Sequence, residues 1–164
     1  MSLAKLSNRT HATARLEEEM ARAKRDTRGE CSIVLVQFDG LSDVADRLGY
    51  AFGDDMWRHV LGVLVQDVRP QDMCCRLGGD EFLLILPGRG LAECRAVADR
   101  LCRRWNPGPG TRESNVEVNV GVAAFPSQGT TMGALLASAD EDMQANRFQH
   151  EMLRGSAPAE SRAA

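Results

Sequence analysis

The sequence predicts one α+β domain, in which helices cover a central, mostly antiparallel sheet to form an α/β sandwich. Two short apolar runs flank the glycine pair at 78–79, which is typical of a β-hairpin. Stretches with helical apolar spacing separate this hairpin from the other predicted strands. The chain has 164 residues, 43% of them hydrophobic, which is enough to fill one core, and no internal repeat is visible.

The first half of the chain is predicted to be mainly helical around one buried strand. Helices are predicted from alternating charge and apolar spacing, and the strand from a run of β-branched and apolar residues. In chain order these elements are a helix over 8–28, a strand over 32–38, a short helix over 41–48 closed by Gly49, and a long helix from Gly53 to Val68, ahead of Pro70.

The second half is predicted to supply the rest of the sheet. In chain order it contains hairpin strands over 73–77 and 82–87, a helix over 92–105, a loop over 106–114, a strand over 116–124, a turn over 126–130 and a helix over 132–148. A small, polar tail from Gly155 is expected to be disordered. We expect the domain to span 6–152, with flexible termini at 1–5 and 153–164.

Charge and composition exclude several classes of function. A net charge of −3 does not favour a general nucleic-acid or anionic-membrane binder. No apolar run approaches the roughly 20 residues of a membrane span, and no signal peptide is visible, so a cytoplasmic domain is predicted. The five cysteines show no zinc-ligand spacing and are predicted to be buried free thiols.

The hairpin carries the most informative chemistry. Gly78 and Gly79 allow the backbone to approach a ligand closely, and their N–H groups can face phosphate oxygens. Asp80 and Glu81 follow on opposite faces of a strand and offer the hard oxygen ligands that Mg²⁺ prefers. This pattern favours a site for a metal-bound nucleoside triphosphate; a solvent-exposed turn with incidental charge is the alternative.

The stretch Arg-Leu-Gly-Gly-Asp-Glu-Phe at 76–82 resembles the signature of the GGDEF family of diguanylate cyclases. The resemblance covers roughly residues 6–150. Further motifs in the family's order and spacing are Leu-Ser-Asn-Arg at 6–9, the glycines at 49 and 53 followed by Asp54, Val-Gly-Val-Ala at 120–123, and Ala-Asp at 139–140.

The resemblance implies a fold and a reaction. The fold is a palm-like βαββαβ core with the signature on a hairpin. In the reaction two domains face each other, each holding GTP with Mg²⁺ or Mn²⁺, and each GTP 3′-hydroxyl attacks the other's α-phosphate to give cyclic di-GMP and pyrophosphate. It therefore implies GTP as substrate, cyclic di-GMP as product, a transient homodimer, and fused sensor or phosphodiesterase domains in a longer protein.

The resemblance also assigns roles to residues of this chain. Asp80 would be a metal ligand, and Glu81 would support the metal and the activated hydroxyl. The glycines at 78–79 would line the phosphates, and the backbone carbonyl of Phe38 would be a further metal ligand. Asp54 matches an aspartate that contacts guanine.

The first strand departs from the family pattern in a register fixed by the glycines at 49 and 53. Gln37 takes the place of the first metal-binding Asp, and a neutral amide supplies no negative charge. The phosphate-binding Lys is Ser42, and the guanine-binding Asn is Ala45. Asp39 lies on the same strand face as Gln37 and is the candidate substitute metal ligand.

The last helix and the turn before the hairpin complete the list of site candidates. Arg147 can keep a phosphate-binding role of the family's Lys, or belong to a solvated helix face, whereas Glu151 replaces a basic residue. Arg69 and Asp72 match the family's Arg-x-x-Asp inhibitory site in type and register, where cyclic di-GMP binds.

Three hypotheses follow from these residues. The first is a cyclic di-GMP receptor or regulatory domain with an impaired cyclase site. The second is a working, slow diguanylate cyclase, which the intact hairpin favours. The third is a GTP-binding or dimerisation module that regulates a fused partner domain.

Overall fold

A computed structural model of the chain describes residues 6–27, 29–105 and 116–155, with side chains described for all of them except 48, 50–54 and 154. Five helices and four strands occupy these ranges. In chain order they are α1 (Arg9–Arg25), β1 (Cys31–Asp39), α2 (Leu41–Leu48), α3 (Tyr50–Val65), β2 (Met73–Gly78), β3 (Glu81–Pro87), α4 (Leu91–Arg104), β4 (Glu117–Phe125) and α5 (Met132–Gly155).

The four strands form one antiparallel sheet in the order β2-β3-β1-β4. The chain therefore passes from β1 through α2 and α3 to β2, returns in the β2–β3 hairpin, and passes through α4 to β4. This is the predicted α+β fold with a βαββαβ core. β1 lies between β3 and β4, which places its C-terminal end beside the hairpin tip.

Helices cover both faces of the sheet. One apolar cluster packs α2, α3 and α4 against even-numbered β1 residues such as Val36 and Phe38. The other packs α1 and α5 against odd-numbered residues such as Ile33 and Leu35. The strand alternation thus directs odd-numbered side chains at the end of β1 toward α5.

The predicted elements are confirmed, with shifts in the ends of three helices. α1 ends at Arg25, ahead of the predicted end at 28. α3 begins at Tyr50 rather than Gly53 and ends at Val65. α5 continues past the predicted end at Phe148 to Gly155, so residues 153–155 are helical. The predicted loop at 106–114 and the termini at 1–5 and 156–164 lie outside the described residues.

The five cysteines are free thiols, as predicted; Cys102 is half-buried and the other four are buried. Burial raises the pKa of Cys31 and of Cys74 to about 12, which keeps these thiols protonated and unreactive. None of the helices in the described ranges is long and apolar enough to cross a bilayer.

Candidate functional site

The predicted catalytic residues meet at the C-terminal end of β1. Gln37 pairs with Glu81 on β3 and with Asn119 on β4. Residues directly opposite each other in an antiparallel sheet point to the same face, so these three side chains share the face that α5 covers. The site therefore has an amide, not a carboxylate, between Glu81 and Asn119.

Gly78 and Gly79 form the hairpin tip with φ angles of 151° and 53°, in the region that favours glycine. Three contacts hold this tip in place. Arg76 donates from Nε to the carbonyl oxygen of Gly79 at 2.9 Å, while its guanidinium lies 4.6 Å from the centre of the Trp57 ring. The Phe38 N–H donates to the carbonyl oxygen of Asp80 at 3.0 Å, which ties the tip to β1.

The Asp80 carboxylate is bound by the first turn of α2. Ser42 donates to it twice, from its backbone N–H at 3.2 Å and from its hydroxyl at 2.5 Å. Ser42 occupies the position of the family's phosphate-binding Lys, so the residue that replaces the Lys makes a different contact. Both carboxylate oxygens of Asp80 are engaged by these donors.

The Asp39 carboxylate is bound by groups from β4 and α5. The Asn119 side chain donates to it at 3.0 Å, and Arg147 forms an ion pair with the same oxygen. Strand alternation does place Asp39 on the face of Gln37, as expected. The Arg147 guanidinium, predicted as a phosphate contact, here neutralises a carboxylate of its own chain.

The resemblance implies that Mg²⁺ ions bind at this site, and the contacts of its side chains bear on whether they can do so. Within the described ranges, no group of three or more His, Cys, Asp or Glu side chains is arranged to hold a metal ion. Asp80 and Asp39 each have partners from the protein, and Gln37 adds no charge. Two close dications need several carboxylates to offset their repulsion, so the residues present do not fit a two-metal centre.

The guanine-recognition residues are described only in part. Ala45 is half-buried against the core and has no hydrogen-bonding group to offer a base. The side chain of Asp54 lies outside what the structure describes, so its contact with guanine stays a prediction. The structure leaves a metal-ligand role for the Phe38 carbonyl a prediction as well.

Arg69 and Asp72 lie together at the turn before β2. Arg69 donates to the Asp72 carboxylate from its backbone N–H at 2.9 Å and from its side chain at 3.1 and 3.3 Å. It also donates to the Pro87 carbonyl at 2.8 Å. The Arg-x-x-Asp pair predicted from sequence is therefore an internal ion pair in this structure.

Two arginines that the sequence analysis missed support the same turn. Arg89 lies 3.6 Å from the Asp72 carboxylate and is almost completely buried. Arg15 on α1 donates to the Gln71 carbonyl at 3.0 Å. Neither belongs to a motif, and each comes from a segment distant in sequence, so only the fold brings them to the turn.

Comparison with known proteins agrees with this architecture. The family model described as "Diguanylate cyclase, GGDEF domain" matches residues 2–152. The bifunctional diguanylate cyclase/cyclic di-GMP phosphodiesterase MucR of Pseudomonas aeruginosa is 34% identical over 144 residues. The response regulator PleD of Caulobacter vibrioides is 34% identical over 143 residues. These matches cover 87% and 83% of this chain, but only 21% of MucR and 31% of PleD.

A solved structure gives the same result. The crystal structure of the GGDEF domain of PA1120 from Pseudomonas aeruginosa superposes with a TM-score of 0.74 and 28% identity. That match covers 90% of this chain and 93% of that one. The family match, the identities and the shared fold agree with the signature on the β2–β3 hairpin, and the chain belongs to the GGDEF family of diguanylate cyclases.

Proposed function

We propose that this GGDEF domain is a regulatory domain that binds cyclic di-GMP and whose own cyclase centre is impaired. The observation that carries the proposal is the set of residues and contacts at the C-terminal end of β1, where the predicted catalytic residues meet. Gln37 stands at the metal-ligand position, Ser42 binds Asp80, and Arg147 binds Asp39. Gln37 and Ser42 are neutral where the family has a carboxylate and a Lys, and the cation that remains, Arg147, is paired with Asp39.

The electrostatic consequence concerns the triphosphate as well as the metal. Arg147 is the basic residue that the resemblance offers for a phosphate contact, and in this structure it is paired with Asp39, so binding a phosphate competes with that pair. An uncompensated Asp39 would then repel the same phosphate. The phosphate and Asp39 therefore compete for the Arg147 guanidinium, and this competition disfavours a bound triphosphate.

The product site supports the receptor role. Arg69 and Asp72 are both present and adjacent, and Arg69 keeps a partly exposed guanidinium that can reach a ligand. An Arg can stack on a guanine base while an Asp accepts from its N1 and N2 donors. The retained pair gives the domain a chemical means of binding cyclic di-GMP without making it.

The chain spans a fifth to a third of these relatives' length, so its longer context belongs to the proposal. The name of MucR describes a cyclase joined to a phosphodiesterase. We propose a comparable fused sensor or phosphodiesterase domain for this chain, in the cytoplasm, with bound cyclic di-GMP as the signal that it conveys.

A slow cyclase is the second candidate, and one observation favours it. The hairpin is intact, and the Glu81 carboxylate has no hydrogen bond or ion pair to the described part of the chain. It would act on GTP as a transient homodimer with Mg²⁺ or Mn²⁺. The third candidate, a GTP-binding module, predicts GTP binding without turnover.

Two measurements on nucleotide-stripped protein separate these candidates. Incubation with GTP and Mg²⁺ or Mn²⁺, followed by chromatography, should yield no cyclic di-GMP. Calorimetry should show cyclic di-GMP binding that Arg69→Ala abolishes. Product that disappears in Glu81→Ala would establish the cyclase instead, and GTP binding without product, together with no cyclic di-GMP binding, would establish the GTP-binding module.

A further inference from the structure

The Asp72 carboxylate is the most enclosed charged group of the product site. Its side chain has no exposed surface, although the residue lies in a turn. One oxygen accepts from the Arg69 side chain, and the other accepts from the Arg69 backbone and side chain and faces Arg89. A ligand that uses both Arg69 and Asp72 must therefore break contacts that these two residues make with each other.

The two arginines differ in their freedom to leave Asp72. The Arg69 side chain is 35% exposed, so it can turn outward to a base. The Arg89 side chain is only 11% exposed. Its backbone lies in a turn in which Gly88 donates to the Glu30 carbonyl at 2.9 Å and Arg89 donates to the Leu86 carbonyl. Burial and these backbone bonds therefore give Arg89 less freedom to move than Arg69 has.

A buried carboxylate that loses its counter-charge is strongly destabilised. Release of Arg69 toward a ligand would leave Asp72 in that state unless another cation remained. We propose that Arg89 is a positioning residue of the cyclic di-GMP site, which holds the Asp72 carboxylate charged and oriented while Arg69 exchanges its partners. This inference rests on the proposed function.

The test compares two substitutions in the whole chain by calorimetry with cyclic di-GMP. Arg89→Met keeps the length and removes the charge, and we expect it to weaken binding at least about tenfold. Arg89→Lys restores a cation and should recover most of that affinity. The free-state unfolding midpoint should change little in either variant, because Asp72 still has Arg69 as a partner.

Arg58→Met is the matched control, since it removes one positive charge from an exposed ion pair with Asp55. It should leave the affinity within about twofold of the native chain. The inference would be overturned, and the proposed function left intact, if Arg89→Met bound cyclic di-GMP as tightly as the native chain does while Arg69→Ala did not bind it. A native chain that does not bind cyclic di-GMP would overturn both.

Discussion

Gly121 shows how tightly one residue can constrain this fold. A Cβ added there would lie 1.8 Å from the carbonyl oxygen of Ala139 and 2.7 Å from the backbone nitrogen of Met143. Contacts that short force backbone to move, so α5 could not keep its place on β4. We expect Gly121→Ala to lower the free energy of unfolding by about 3 kcal/mol, measured by urea denaturation.

Gly62 provides the matched control for that substitution. It lies on the exposed side of α3, where an added Cβ would meet nothing within 4 Å. Gly62→Ala should stabilise the protein by about 0.5–1 kcal/mol, because alanine favours a helix more than glycine does. If Gly121→Ala were as harmless as Gly62→Ala, α5 could not pack as closely on β4 as the structure shows.

The sequence predicts which residues lie at the C-terminal end of β1, but it does not predict which of them contact one another. The glycines at 49 and 53 set the register that puts Gln37 and Ser42 at family positions. That register says nothing about the Ser42–Asp80 contact or about Arg147 on Asp39, because both pairs depend on how separate elements meet. The sequence allows Arg147 either a phosphate or solvent as its partner, and the structure pairs it with Asp39 instead.

At the scale of elements, side chains of α5 satisfy the outer edge of β4. Asp142 accepts from the Val122 N–H at 2.9 Å, and Asn146 donates to the Val120 carbonyl at 3.1 Å. Asp142 also pairs with Arg95 through two bonds of 2.7 and 2.8 Å. These contacts join β4, α4 and α5 and cover backbone groups that no neighbouring strand pairs in the described ranges.

Asp142→Asn should lower the free energy of unfolding by about 2 kcal/mol at neutral pH, because the Arg95 guanidinium loses its charged partner. Although burial raises the pKa of Asp142, its bonds with Arg95 and Val122 hold the net pKa below the ordinary value of 3.8. A lowered carboxyl pKa stabilises the fold above 3.8 and ceases to do so as the pH falls below it. The difference from the native chain should therefore shrink in acid, as followed by denaturation between about pH 2 and 7.

Asp140→Asn serves as the control, because this residue is exposed on the same helix. It should change stability by less than about 0.5 kcal/mol at every pH. A loss in Asp142→Asn that persisted unchanged below pH 3 would mean that its origin lies in packing and not in the charged pair.

The elements themselves were largely predictable, and the misjudged ends have physical causes. Apolar spacing, glycines and prolines located every helix and strand of the described ranges. The sequence predicts that the last helix ends at Phe148, whereas α5 continues to Gly155, and Phe148, Met152 and Leu153 on it are largely exposed. Helical backbone continues there, since no glycine or proline interrupts it before Gly155.

For the whole molecule, the packing of the core does not depend on the residues that we propose impair the cyclase centre. One core cluster lies on each face of the sheet, and neither cluster includes Gln37 or Ser42. Substitutions at these two positions should therefore leave both cores intact. This independence allows the family's charged groups to be restored without rebuilding the domain.

The double variant Gln37→Asp with Ser42→Lys should gain GTP turnover that the native chain lacks. The Asp returns a carboxylate between Glu81 and Asn119, and the Lys supplies a phosphate contact in place of the serine bond to Asp80. Because the family reaction joins two GTP molecules held by two domains, the specific activity should rise with protein concentration. Chromatography of cyclic di-GMP formed with Mg²⁺ at several protein concentrations measures both effects.

Adding Glu81→Ala to the double variant gives the control, since it removes the carboxylate that supports the metal and the hydroxyl. Product formation should then fall to background while the fold, followed by circular dichroism, persists. A native chain as active as the double variant would show that Gln37 and Ser42 do not impair the centre. Activity independent of protein concentration would contradict a centre shared between two domains.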